Sequence, residues 1–401
     1  MRHSLRIAMV SEHASPLAHL GEVDAGGQNV AVANLSAALA RRGHEVVVYT
    51  RRDDPDLPLR VDTRHGYSVR HVTAGPPVRV PKDDLLQYMC EFGDRLGEHF
   101  DRNRPDVAHA HFWMSGLATM QAARPRAIPV VQTFHALGAV KRRHQGADDT
   151  SPDERVRLET ELARTVDCVA ATCTDEVAEL GLLGRPASAV AVVPCGVDVG
   201  EFVPTGPKAT RGDKHRIVTV GRLVSRKGFD TVIEAMQGLA DAELVIVGGP
   251  DKSELDGDVE AVRLQRLAAR FGVADRVHLY GSVEREEMPM LLRSADVVVA
   301  TPWYEPFGIV PLEAMACGVP VVASAVGGML DTVVDGVTGR LVPPRAPDAL
   351  AHAIGPLLRD AELRADMGRV GRAHVSARYS WMQVAGDIAA VYCRVSRGSA
   401  K

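Results

Sequence analysis

From Leu5 onward, short β-rich runs alternate with longer helical patterns: "LRIAMVS" (Leu5 to Ser11), a helix near Asn29 to Arg42, "HEVVVYT" (His44 to Thr50), "DVAHAHF" (Asp106 to Phe112), "PVVQTFH" (Pro129 to His135), "CVAATC" (Cys168 to Cys173) and "AVAVVPCG" (Ala189 to Gly196). Such a rhythm predicts βα units and a parallel sheet, because parallel neighbours must be joined by a crossover, usually a helix. It stops at "VDVGEFVPTGPKATRGDKH" (Val197 to His215), where Pro, Gly, Lys and Asp collect without periodicity, as in an exposed inter-domain linker. It then restarts with "HRIVTVGRL", "AELVIVGG", "RVHLYG", "DVVVATP" and "VPVVAS". The expectation is an α/β protein with two doubly wound parallel-sheet domains, residues 1–196 and 216–380, a linker at 197–215, and a C-terminal helix and tail at 381–401. In that helix Trp381, Val384, Ile388, Val391 and Tyr392 recur close to helical spacing, so it requires an apolar surface to pack on.

A length of 401 residues agrees with two cores of ordinary size. A net charge of −4 argues against a nucleic-acid or membrane surface as the main partner. The opening run, interrupted by Arg6, is too short for a signal peptide or a membrane span, which leads us to expect a cytoplasmic protein. Six scattered cysteines without a C-x-x-C pair indicate neither a zinc site nor a disulfide framework. Arginine outnumbers lysine 40 to 7, the coding bias of a GC-rich genome.

Ligands of open parallel sheets bind beyond the carboxyl ends of strands. After the first strand, "EVDAGGQNV" offers Gly26 and Gly27 for close backbone approach and a helix N-terminus for an anion, with Asp24 as a cap. A dinucleotide fingerprint is absent there and after every other strand, which disfavours an NAD or FAD enzyme. After the first strand of the second half, "GRLVSRKGFD" places Arg222 and Lys227 in a loop, where they read either as solvated surface cations or as partners of a diphosphate leaving group. In "TPWYEPFGIVPLEAMACG", Pro306 suits a first helical turn, so Glu305 is expected at the helix start with the amides of Phe307, Gly308 and Ile309 pointing outward. On that helix Glu313 would lie roughly 12 Å further along the axis, about the length of a sugar-nucleotide from hexose to ribose. His109 and His111 share one strand face without a third ligand at metal spacing, and read as structural.

Together these motifs resemble the retaining family 4 glycosyltransferases: "EPFGIVPLE" matches their E-x7-E signature, "GRLVSRKG" and "VDAGGQNV" fall where the other donor-side motifs lie, and "GGMLDTVVDGVTGRLVPP" looks like the usual C-terminal portion. The resemblance covers nearly the whole chain. It implies the GT-B architecture, two facing Rossmann-like domains with the C-terminal helix crossing back, the first domain on the acceptor side and the second binding the nucleotide sugar. It also implies a hexose of the glucose or N-acetylglucosamine type, taken from a nucleoside diphosphate, UDP by preference, without a metal or other cofactor. Glu305 with the amides of Phe307, Gly308 and Ile309 would hold the hexose, Glu313 the ribose, Arg222 and Lys227 the diphosphate, and Gly27 would close on it. His135 matches the family histidine that reaches the donor sugar near its C6 hydroxyl.

On the acceptor side the chain resembles the branch of sucrose-phosphate synthase and the inositol-phosphate enzyme of mycothiol biosynthesis, through "ASPL", "GGQNV" and "FHALGAVK". Asn29 then corresponds to an acceptor-hydroxyl contact, and Lys82 and Arg155 to phosphate contacts. Where that enzyme has a tyrosine and a threonine donating to the phosphate, this chain has Phe112 and Ala136, which removes two hydrogen bonds worth ~1.5 to 3 kcal/mol each. The expected acceptor is a different small polyol, sugar or sugar-derived natural product, with inositol phosphate as the alternative. A sugar-nucleotide epimerase and a non-catalytic nucleotide-sugar sensor are the rivals from other classes, and a homodimer stays open.

Overall fold

The computed structural model describes residues 4–18 and 26–398, so Asp24, expected as a cap, lies outside the described residues. The chain forms two compact units, Met1–Gly196 with Trp381–Lys401, and Val197–Ser380.

The first unit is built on β1 (Arg6–Val10), β2 (Glu45–Arg51), β3 (Arg60–Asp62), β4 (Ser68–Val72), β5 (Val107–His111), β6 (Val130–Thr133), β7 (Cys168–Ala171) and β8 (Val190–Val192). Their order is β3-β4-β2-β1-β5-β6-β7-β8, and every neighbouring pair is parallel except β3 with β4. Both faces of β1 are buried: Ile7 and Met9 pack in one apolar layer with Leu35 and Leu39, while Ala8 and Val10 face another containing Phe92 and Trp113. This period-2 division explains why the strand reads as an unbroken apolar run. The sheet order reverses direction at β1, between β2 and β5, which opens a crevice at the carboxyl ends of β1 and β5.

The C-terminal helix Trp381–Gly398 belongs to this first unit. It packs on the helix Gly27–Arg41, and the five apolar residues expected to seek a surface are all buried, with Ile388 and Tyr392 fully so.

The second unit contains β9 (His215–Val220), β10 (Ala242–Val247), β11 (Val277–Gly281), β12 (Val297–Ala300), β13 (Val321–Ser324) and β14 (Gly339–Val342), all parallel in the order β11-β10-β9-β12-β13-β14. Its reversal lies at β9, between β10 and β12. The loops after β9 and β12 therefore meet at one end of the sheet, and they carry the Arg222–Lys227 and Glu305 motifs.

Residues 197–215 are mostly exposed, as expected of a linker, but two buried apolar residues and a set of backbone hydrogen bonds fix their start to the second unit. Val197 donates its amide to Tyr379 O at 2.8 Å, Phe202 is fully buried, and Arg372 caps the carbonyls of Val199 and Phe202 at 2.8 and 2.7 Å. The Pro/Gly composition hid two apolar anchors and the carbonyls that arginines satisfy. Three strands escaped the sequence reading: β3 is short, β4 is broken by Arg70 and His71, and β14 begins with a glycine. Among the described residues no helix is long and apolar enough to cross a membrane.

Candidate active site

In the second unit, backbone contacts bind the loop after β9 to the loop after β12. Thr301 Oγ1 donates to Gly228 O at 2.9 Å, and the amide of Trp303 donates to Arg226 O at 2.8 Å. Gly228 makes this possible: its φ is +72°, and a Cβ there would fall 1.9 Å from Thr301 O. The consequence is that Lys227 Nζ ion-pairs directly with Glu305 Oε2, while Arg226 Nη1 stands 3.9 Å from the same oxygen and its guanidinium lies over the Tyr304 ring. Burial pushes the Glu305 carboxyl up, but Lys227, Arg226 and Arg222 pull it further down, so it stays ionised below the ordinary glutamate range. A third loop closes on the same residue, with the Gly328 amide donating to Glu305 O at 3.2 Å and Gly327, at φ +47°, passing where a Cβ would meet that oxygen at 2.1 Å.

The helix here is Ile309–Ala316 and not one begun at Pro306. Gly308 takes φ +81°, a left-handed conformation that cannot continue a helix, so Glu305, Phe307 and Gly308 belong to the preceding loop and the 12 Å helical separation from Glu313 does not apply. Phe307 is buried, while Gly308 and Ile309 are half-buried at the helix start. Glu313, 3% exposed, is paired with Arg285 Nη1. Arg285 also approaches Glu201 Oε1 at 3.7 Å and lies over the Phe202 ring. Burial lowers the Arg285 pKa, and Glu313 and Glu201 more than reverse that. No local motif announces Arg285, because its partners lie far away in sequence. Arg226 was legible in "SRKG" as a cation next to Lys227, and was passed over.

In the first unit, His135 ends the β6 segment at φ +61°, a strained value for a non-glycine residue. Its Nε2 lies 2.9 Å from His111 Nδ1, and the two rings stack at 5.1 Å. Behind them His109 contacts Tyr392 Oη at 2.6 Å through Nδ1 and Thr133 Oγ1 at 3.0 Å through Nε2. Burial, with a smaller contribution from neighbouring imidazoles, lowers the His109 and His135 pKa values to about 3 and puts His111 well below the ordinary range. All three rings are neutral at physiological pH.

Next to this cluster is a group that sequence reasoning missed. Glu12, 1% exposed, accepts from Ser115 Oγ and contacts His13 Nδ1 at 2.7 Å, and the His13 ring meets the Phe112 ring edge-on at 5.0 Å.

The expected acceptor residues divide. Lys82 opens the 3-10 turn Lys82–Tyr88 and is half-buried. Phe112 and Ala136 follow β5 and β6 at the same sheet end as His135. Asn29 is turned to structure: its Oδ1 accepts the Gly26 amide at 3.0 Å and its Nδ2 donates to Ser15 O at 2.9 Å, which braces the start of the helix opened by Gly27. Arg155 corrects the expectation of a phosphate contact. Its Nε donates to Glu159 Oε1 at 2.8 Å, Nη1 to Ser151 Oγ at 3.1 Å and Nη2 to Ala136 O at 2.7 Å, with both members of the ion pair buried and the guanidinium over the Phe112 ring. A carboxylate four residues along the same helix has already claimed the charge.

Chemically, the second unit presents two cations about one carboxylate with Arg222 on the same loop, suited to an anionic leaving group beside a polyol. The first unit presents three neutral imidazoles beside the Glu12 carboxyl group.

Comparison with known proteins shows the family. Residues 25–201 match the family described as Glycosyltransferase Family 4, and residues 206–374 match Glycosyl transferases group 1. The D-inositol 3-phosphate glycosyltransferase of Xylanimonas cellulosilytica is 38% identical over 98% of this chain and 97% of its own length. D-inositol 3-phosphate glycosyltransferase 2 of Catenulispora acidiphila is 36% identical over 97% and 95%. Among solved structures, sucrose-phosphate synthase from Thermosynechococcus elongatus matches with a TM-score of 0.87 at 32% identity, covering 98% of this chain and 99% of that one.

Proposed function

The chain belongs to glycosyltransferase family 4, with the GT-B fold, and from that premise we propose that it transfers a hexose, with retention, from UDP to a hydroxyl of a small polar acceptor in the cytoplasm. The observation that carries this reading is the Lys227–Glu305 pair with Arg226 beside it. Negative charge grows on the leaving diphosphate as the glycosidic bond breaks, and cations already fixed by packed loops stabilise it without reorganisation at that moment. In this reading Arg222 and Lys227 take the diphosphate, Glu305 and the Phe307–Ile309 amides the hexose hydroxyls, and Glu313 the ribose. His135 is assigned to the sugar, as the family resemblance implies. No metal is assigned, because the cations supply the countercharge.

For the acceptor, Phe112 and Ala136 lack hydroxyls and Arg155 is spent on Glu159, which leaves Lys82 as the only expected phosphate partner without a correction. This favours a non-phosphorylated polyol or sugar. A second reading, transfer to D-inositol 3-phosphate, rests on the names of relatives 36–38% identical over nearly the full chain.

The experiment offers UDP-, GDP- and ADP-hexoses with an acceptor panel that includes inositol 3-phosphate, and measures nucleotide release and glycoside formation. Release of UDP with a retained glycoside on a neutral polyol supports the first reading, and efficient glycosylation of inositol 3-phosphate replaces it with the second. An epimerised donor, or no turnover at all, rejects transfer.

A further inference from the structure

The three neutral histidines stack in a row in which only His111 and His135 share a hydrogen bond, and the proton on each ring can be placed from its own partners. Thr133 Oγ1 donates to Ala170 O at 3.0 Å, so toward His109 Nε2 it can only accept, which places the proton of His109 on Nε2. His109 Nδ1 then accepts from Tyr392 Oη, whose pKa burial raises well above the ordinary value, so that it keeps its proton. His111 sits against this ring, centroids 4.2 Å apart, and is 2% exposed. Its Nδ1 faces His135 Nε2, while its Nε2 is buried without a hydrogen-bond partner.

That orphan nitrogen decides the rest. A neutral imidazole carries one proton, and a buried N–H without an acceptor is rarer in folded proteins than a buried lone pair without a donor. The proton of His111 therefore belongs on Nδ1, where it has a partner. His135 Nε2 must accept it, and the single proton of His135 is left on Nδ1, which is the less common tautomer of free histidine.

We propose that His111 is a positioning residue that holds His135 in the Nδ1–H tautomer, so that His135 offers the bound hexose a hydrogen-bond donor from a fixed ring. The donor would select a sugar oxygen able to accept at that point. This deepens the reading of His135 as a sugar contact and rests on it. The strained backbone at His135 fits the same role, since it aims the ring while His111 sets its polarity.

The test has a spectroscopic arm that needs no substrate. Long-range 1H–15N correlation of the labelled full-length protein at neutral pH should show His135 with a protonated Nδ1 and a pyridine-type Nε2. In His111→Leu the His135 Nε2 loses its donor, so its 15N resonance should move to that of a pyridine-type nitrogen without a hydrogen bond, and in His111→Asn, whose side-chain amide can donate from nearly the same position, the hydrogen-bonded resonance should return. Turnover should fall about 10- to 100-fold in His111→Leu, the usual cost of losing a group that orients a site residue, and recover in His111→Asn, with UDP affinity unchanged in both. Nε2–H at His135 in the natural protein, an unchanged Nε2 resonance in His111→Leu, or full turnover in that variant would each overturn the proposal. Should His111→Leu fail to fold, the spectrum of the natural protein and the His111→Asn variant still decide it. Full turnover in His135→Ala would instead refute the sugar contact, while the tautomer result still tests the lock.

Discussion

The two units place charge differently at corresponding sheet ends. In the first, Arg155 and Glu159 are 3% and 1% exposed and consume each other, and the histidines behind them are neutral. In the second, Lys227 and Arg226 remain 22% and 18% exposed at the loop surface, paired with a carboxylate that stays ionised. Buried mutual pairs hold architecture, whereas pairs within reach of solvent can exchange partners with a ligand. The same residue types therefore do different work according to what can reach them.

The comparison breaks most visibly at Arg155. Arg155→Ala leaves Glu159 buried without its partner, and breaking a buried pair costs about 3–5 kcal/mol. A urea midpoint close to that of the natural protein would show the pair to be exchangeable after all. Lys227→Ala should do the opposite, lowering kcat by about 10²–10³-fold with an unchanged circular dichroism spectrum and melting temperature. Turnover near the natural value would remove the diphosphate assignment.

Smaller effects sharpen the contrast. If Arg155 is architectural, inositol 3-phosphate lacks directional donors, and Phe112→Tyr combined with Ala136→Thr should raise transfer to it by restoring bonds worth ~1.5 to 3 kcal/mol each. Efficient transfer by the natural protein would show that the two substitutions carry no selectivity.

Acid should distinguish the units as well. The unfolded chain takes up a histidine proton near the ordinary pKa of about 6.5, whereas folded His109 does so only at about 3. Between those values the unfolded state binds more protons, so stability falls as pH falls through the window. At pH 5 the loss from His109 is about 2 kcal/mol. Glu305, held below the ordinary carboxylate pKa, contributes stability that is present above that pKa and lost only in stronger acid. Urea unfolding at pH 7 and pH 5 should show the decline, and His109→Gln should lessen it while His111 and His135 sustain the rest. Equal stability at both pH values would contradict the buried neutral state.

Much of the fold was legible because apolar periodicity records which faces are buried, and a parallel sheet covered on both sides gives continuous runs such as Ile7 to Val10. Lys227 and Glu305 were singled out because their motifs resemble those of the family, and the fold brings the two side chains together at a sheet reversal. Partnership was not. Arg155 stands four residues before Glu159 in plain view, but the sequence does not say that both are buried. Arg285 meets Glu313 only through the fold, and the left-handed turn at Gly308, which begins the helix after Glu305 instead of at Pro306, depends on three loops converging.

The return of the helix Trp381–Gly398 to the first unit has a consequence for synthesis. Trp381, Val384, Ile388 and Tyr392 complete a core whose other members, among them Ile7 and Leu39, leave the ribosome long before them. The N-terminal sheet must wait, with that apolar face uncovered, while the whole of Val197–Ser380 is translated. Folding in order of synthesis can finish the second unit first and the first unit last. A stop codon just before Trp381 would remove no strand of either sheet, yet it would leave the nascent first unit without its cover, Tyr392 missing from His109 and an adhesive surface in its place.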